Sequence, residues 1–235
     1  MIEYIMYNGQ SLRQFGVVCS GGKRFNSASR NYELIDVQGR NGYLLKDNGT
    51  YNSIIVNYDC FIVKDLQSNL QRLRNFLGSD FGIHQLEDTF DPNEYRMGTF
   101  GDGIEYDIFN LQGANFTLSF TCQPERWLKD GQKPRTLTKS TVMVNPTRFA
   151  SKPLIRVYGQ GNLGIGNQQI QITQSGTEYI DIDSDLCDCY EGTTYRNDRV
   201  VLENHQFPTL EEGKSNITLE TGISRVIITP RWWQL

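Results

Sequence analysis

The chain has 235 residues, enough for one large or two modest domains, each with a core of its own. Charged residues make up 21% and apolar residues 38%, a globular balance that excludes wholesale disorder. The formal net charge of −4 excludes a basic footprint for gripping nucleic acid phosphates, though not the passage of DNA that is left unbound.

At the N-terminus, Met1-Ile2-Glu3-Tyr4 lacks a basic region followed by an apolar run, so no signal peptide is expected. The two N-x-T sequons, at Asn115 and Asn216, then read as chance. Turn signals come early, at Asn8-Gly9, Gly21-Gly22, Asn41-Gly42 and Asn48-Gly49. Asn-Gly tolerates the positive φ that a two-residue hairpin turn needs at both central positions. Between these signals lie β-leaning stretches at Tyr32 to Val37, Gly42 to Leu45 and Ile54 to Val63. In the last, Ile54, Val56, Tyr58, Cys60 and Ile62 alternate with a mixed set and should face a core. The best candidate for a membrane span, Ser53 to Val63, is interrupted by Asn57 and Asp59, so no membrane association is expected.

One helix is predicted, over Lys64 to Ser79. Leu66, Leu70, Leu73 and Leu77 recur there at spacings of four, three and four, which puts them on one face. Asp65 is placed as N-cap, its carboxylate accepting from a first-turn N–H, and Gly78 as the stop. The stripe covers only about two heptads, so it should pack on a sheet rather than form a coiled coil. Strand-like pieces resume up to Phe116 to Cys122, and then the polar stretch Pro124 to Thr147 marks a domain boundary, set at 136/137. Beyond it, Leu154 to Tyr158, Gln169 to Thr173, Tyr179 to Asp183, Ile217 to Leu219 and Val226 to Ile228 are short strands at the spacing of a β-sandwich.

Residues able to carry chemistry do not assemble into a known constellation. The turn Gly159 to Gly166 looks like a dinucleotide fingerprint, but Gln168 to Thr173 leaves it alternating as a strand, where a phosphate cradle needs a helix. Asp181, Asp183 and Asp185 open like a calcium loop, yet Leu186 and Gly192 stand where glycine and glutamate belong; the aspartates are expected to face water. Cys187 and Cys189 would need two more soft ligands for zinc, and neither His84 nor His205 sits at a ligand spacing. The remaining cysteines, Cys19, Cys60 and Cys122, are scattered and read as small buried residues rather than a disulfide framework. With two histidines and no G-x-S-x-G elbow, no nucleophile has an evident base. Trp127, Trp232 and Trp233 read as core or interface residues before sugar platforms. The expectation is no enzyme, no catalytic residue, no cofactor and no metal.

From the residues alone, then, the chain is mainly β: two β-rich domains, the first with one helix. A resemblance extends this. Asp36-Val37-Gln38-Gly39-Arg40-Asn41-Gly42-Tyr43-Leu44 resembles the Gly-Arg-Asp-Gly hairpin near the start of phage distal tail proteins, with Asn41 where aspartate is frequent. Cys60-Phe61-Ile62, the helix end at Leu73 to Leu77, Tyr95-Arg96 and Phe120 to Pro124 with Trp127 follow in the family's order. So do Asn145-Pro146-Thr147, Lys152 to Ile155, Tyr158 to Gly161, Ile180 to Ser184, Phe207 to Leu210 and Pro230-Arg231-Trp232. The motifs are individually common, but their joint order covers nearly the whole chain.

The resemblance implies an α+β, tail-tube-like N-terminal domain with one packed helix over residues 1–136, and a galectin-like β-sandwich over 137–235. It implies a structural virion protein at the distal end of a phage tail, assembled in the host cytoplasm. Six copies would form a ring hub, with the tail tube protein on one face and the tail-tip protein on the other. Receptor-binding or baseplate proteins would dock outside, and DNA would pass through without specific binding. Ring closure needs a repeated heterologous contact, for which the hairpin residues Arg40, Asn41 and Gly42 are the candidates. The alternative is a carbohydrate-binding adhesion module of a phage tail; a tail-associated peptidoglycan hydrolase finds little support in the scarce histidines.

Overall fold

A computed structural model of the chain describes residues 4–23, 27–110, 113–173 and 178–235. Met1 to Glu3, on which the expectation of no signal peptide rests, lie outside them. The chain divides into two compact units, Met1–Arg126 with Leu235, and Trp127–Gln234.

The first unit runs β1 (Ile5–Tyr7), β2 (Gln10–Ser11), β3 (Val18–Lys23), β4 (Arg30–Asp36), β5 (Tyr43–Tyr51), β6 (Ile54–Ile62), α1 (Leu66–Ser79), β7 (His84–Asp88), β8 (Glu94–Thr99), β9 (Tyr106–Asn110) and β10 (Gly113–Leu128), the last crossing into the second unit. Its main sheet has the order β2-β1-β7-β8-β10-β6-β3, with β9 also on β10. Asn8-Gly9 turns β1 into β2 with positive φ at both residues, 48° and 71°, as a two-residue hairpin of this kind requires. Along β6 the alternation is as expected: Ile54, Val56, Tyr58, Cys60 and Ile62 are all buried.

All four leucines of the α1 stripe are buried, in one core with Val56, Tyr58, Leu118 and Phe120 of the sheet. Each contributes roughly 1.5–3 kcal/mol by leaving water. The helix ends differ from expectation. Asp65 sits at the N-cap but in the left-handed region (φ 50°), and its side chain makes no capping bond; Asn69 instead donates its Nδ2–H to the Lys64 carbonyl at 3.0 Å. Gly78 lies inside the helix, which runs on to Ser79 and stops where Asp80 becomes extended.

Two turn signals also resolve differently. Asn48-Gly49 makes a bulge within β5: Asn31 pairs with Thr50 but Tyr32 with Asp47, and Gly49 takes the positive φ of 73°. Asn41-Gly42 does not form a two-residue turn. Asp36 and Tyr43 close the ladder, six residues bridge them, and positive φ falls on Gly39 and Gly42.

The second unit comprises β11 (Arg135–Leu137), β12 (Thr141–Asn145), β13 (Leu154–Gly159), β14 (Gly161–Ile165), β15 (Gln168–Ile172), β16 (Ile180–Asp183), β17 (Asp188–Glu191), β18 (Thr194–Tyr195), β19 (Val200–Leu202), β20 (Gly213–Leu219) and β21 (Ile223–Thr229). They form two sheets, β11-β21-β13-β16-β17-β18 and β12-β20-β14-β15-β19. Ile155, Ile182 and Ile228 from one and Leu163, Ile170 and Ile217 from the other meet in a single core, which makes the unit a β-sandwich. β11, which the 136/137 boundary would cut after Thr136, pairs with β21 along its whole length and belongs here.

Asp181 and Asp183 do not face water, as the sequence led us to expect: they are 3% and 2% exposed. Each is held by an arginine fork. Arg156 donates to Asp181 at 2.7 and 2.8 Å, and Arg231 to Asp183 at 2.6 and 2.9 Å. Bidentate guanidinium pairing is what makes a buried carboxylate tolerable. Only Asp185 remains near the surface, paired with Lys152 at 3.2 Å.

Candidate functional site

The feature of the first unit that its own core does not explain is the β4–β5 hairpin. Its seven cross-strand pairs run from Arg30↔Tyr51 to Asp36↔Tyr43, and among the described strands it joins no other sheet. Every residue from Tyr32 to Thr50 is exposed. A lone two-stranded ribbon is marginal in water, and here polar pins hold its base. Arg30 grips Asp47 with Nε and Nη2 at 2.9 and 2.6 Å and lies over the Tyr51 ring. Those bonds, with the Gly49 N–H second, hold the Asp47 carboxyl below its ordinary range. Asn52 donates from its backbone and side chain to Ser29.

The register sorts the hairpin into two faces, since directly paired residues share one. One carries Tyr32, Leu34, Tyr43 and Leu45, between 50% and 61% exposed. The other carries the Glu33–Lys46 ion pair together with Ile35 and Leu44. Contiguous exposed apolar side chains on a ribbon with two open edges mark a surface for another chain. Arg40, Asn41 and Gly42 lie at the exposed tip, where the Arg40 N–H closes a turn onto the Val37 carbonyl at 3.1 Å. The sequence marks Tyr32 to Val37 and Gly42 to Leu45 as β-leaning, but not that one apolar face of them lies open.

Of the residues that carry the family resemblance, several beyond the hairpin hold the second unit together. Asn145 donates to the Phe149 and Leu210 carbonyls, both at 2.9 Å, and accepts from the Thr147 N–H and hydroxyl. Arg231 and Asp183, from two separate motifs, are the fork pair described above. Gly159, at φ 104°, passes so close to Gly222 that a Cβ would lie 2.2 Å from its carbonyl oxygen. Trp232 is buried in the sandwich core, and Trp233 stacks on Phe149 at 4.5 Å.

Groups singled out for chemistry are dispersed. His84 packs edge-on against Tyr7 and lies 3.4 Å from Asp80, while His205 is exposed in the second unit. Cys189 is buried and Cys187 exposed. Among the described residues no three His, Cys, Asp or Glu side chains are grouped to hold a metal ion. A shallow groove on the five-stranded sheet is lined by Asn162, Gln169, Gln171, Val201, Glu203 and Glu220, polar but for Val201 and without an aromatic ring among them.

No protein-family model and no curated relative matches the chain. Its fold does match a solved structure, the Dit protein (gp 19.1) of phage SPP1, described as a paradigm of the hub adsorption apparatus in phages infecting Gram-positive hosts. The match has a TM-score of 0.72 at 14% identity and covers 99% of each chain. The chain therefore has the Dit fold from end to end.

Proposed function

We propose that this protein is a distal tail protein: a structural hub of a long-tailed phage, located in the virion at the distal end of the tail. The observation that carries the reading is the full-length correspondence with SPP1 Dit, which takes in both units rather than one common module. On this reading the first unit is the tail-tube-like, ring-forming domain and the second the galectin-like sandwich. Six copies close into a ring between the tail tube protein and the tail-tip protein. Receptor-binding or baseplate proteins attach outside, DNA passes through unbound, and the part played is assembly rather than catalysis.

The repeated contact is assigned to the β4–β5 hairpin. Its Tyr32, Leu34, Tyr43 and Leu45 face would lie on the next copy, with Arg40, Asn41 and Gly42 at the leading tip. A contact between two different patches, repeated by rotation, closes a ring. Mass photometry of the full-length protein, alone and with its tail partners, tests this. Rings of six are expected. A dimer or trimer at every concentration, with no ring when the partners are present, would refute it. The rival reading, a carbohydrate-binding adhesion module, would use the groove at Asn162, Gln169 and Gln171; binding on a glycan array that is lost in Gln171→Ala would favour it.

A further inference from the structure

The core of the first unit contains two thiols that packing alone does not require. Cys19 on β3 and Cys60 on β6 are direct partners in the antiparallel register, and their sulfurs lie 3.8 Å apart. Directly opposed antiparallel residues have Cα atoms about 4.5–5.5 Å apart, inside the roughly 4.4–6.8 Å that a disulfide spans. Side-chain rotation can therefore bring the sulfurs into bonding distance while the strands stay in place. Cys122, also buried, turns its sulfur toward the Phe120 carbonyl at 3.7 Å instead. We propose that Cys19 and Cys60 are a dithiol poised to close into a cross-strand disulfide that staples β3 to β6.

Position and chemistry support a direction for the reaction. β3 is the outer strand of its sheet, bonded to β6 on one side, so local opening uncovers Cys19 before Cys60. The hydrogen bond from Cys60, acting against burial, also holds the Cys19 thiol below its ordinary value. Cys19 is then the attacking thiolate. With a small-molecule disulfide as oxidant, Cys19 Sγ attacks one sulfur, forms a mixed disulfide and releases one thiolate. Cys60 Sγ next attacks Cys19 Sγ, forms the protein disulfide and expels the second thiolate. The two cysteine protons end on the two released thiols, and the two electrons reduce the oxidant.

The bridge would join residues 41 apart in sequence and enclose the whole hairpin. It would stop β3 from peeling off and constrain the unfolded chain. It should be open in a reducing cytosol and closed in an oxidising exterior.

The test uses full-length protein carrying Cys187→Ser, which removes the exposed thiol and leaves four. The folded protein is equilibrated with oxidised glutathione, quenched in acid, unfolded and alkylated. We expect two thiols blocked, two hydrogens lost from the mass, no glutathione retained and one peptide pair linking Cys19 to Cys60. Dithiothreitol should restore four thiols and lower the melting temperature. Adding Cys60→Ser should strand the reaction at Cys19 with one glutathione attached. The linkage map is made with both thiols intact and stands independently of that variant. Four alkylated thiols after equilibration, or a bridge between any other pair, would overturn the proposal. Neither result depends on whether a ring forms.

Discussion

At the scale of single residues, the second unit rests on a few buried polar contacts whose removal should be costly. Burial would raise the Asp183 carboxyl, but the Arg231 fork and the N–H groups of Leu186 and Asp185 outweigh it and hold the group below its ordinary value. A carboxyl depressed in the fold contributes stability that is complete above the unfolded value, about 4, and is lost as pH falls through the folded one. Trp127, Trp232 and Trp233 all belong to this unit, so tryptophan fluorescence follows it. Its urea midpoint should be flat from pH 7 to pH 5 and fall below about pH 4, with part of that fall absent in Asp183→Asn. Asp183→Ala, which leaves the guanidinium without its carboxylate, should cost about 3 kcal/mol. Gly159→Ala should cost more than about 1 kcal/mol, because alanine strains the positive φ and its methyl meets the Gly222 carbonyl. Denaturation of each variant by the same fluorescence would measure both.

Two elements of the first unit make opposite use of their apolar residues. In α1, Leu70 and Leu73 are 4% and 0% exposed, so replacing either by alanine should cost about 2–5 kcal/mol. Gln67→Ala, on the exposed side of the helix, should stay within about 0.5 kcal/mol. Unfolding followed by circular dichroism would separate the cases; equal small effects would mean the stripe is not buried in the isolated protein. In the β4–β5 hairpin the apolar residues face solvent, and the expectation reverses. Leu34→Asp with Leu45→Asp should leave the melting temperature nearly unchanged, yet abolish rings by mass photometry. Arg30→Ala should also weaken assembly, since it loosens the ribbon and frees Asp47, which shares the docking face with its register partner Tyr32.

For the whole molecule, two units with separate cores imply two unfolding events. Leu73→Ala should move the transition of the first unit and leave the tryptophan-monitored transition of the second in place. A common shift of both would mean that the units unfold as one cooperative body. The chain passes from the first unit to the second at Arg126–Trp127, within β10, and returns at Gln234–Leu235.

Local pattern was sufficient for the elements whose conformation is set by near neighbours. The alternation along Ile54 to Ile62, the four-three-four leucines of α1 and the Asn8-Gly9 hairpin were all legible in the sequence, because period and turn chemistry act over a few residues. Tertiary structure decided the rest, since the deciding partner was distant in the chain. Asp181 and Asp183 look solvent-facing until Arg156 and Arg231 arrive from 25 and 48 residues away. Asn48-Gly49 is a turn by composition and a bulge in fact, because β4 continues opposite it. Tyr32, Leu34, Tyr43 and Leu45 lie in stretches that the sequence marks as β-leaning, yet in the fold they stand exposed. Apolarity specifies that a side chain prefers burial; only the arrangement of the other elements determines whether this chain supplies the cover or leaves it to another.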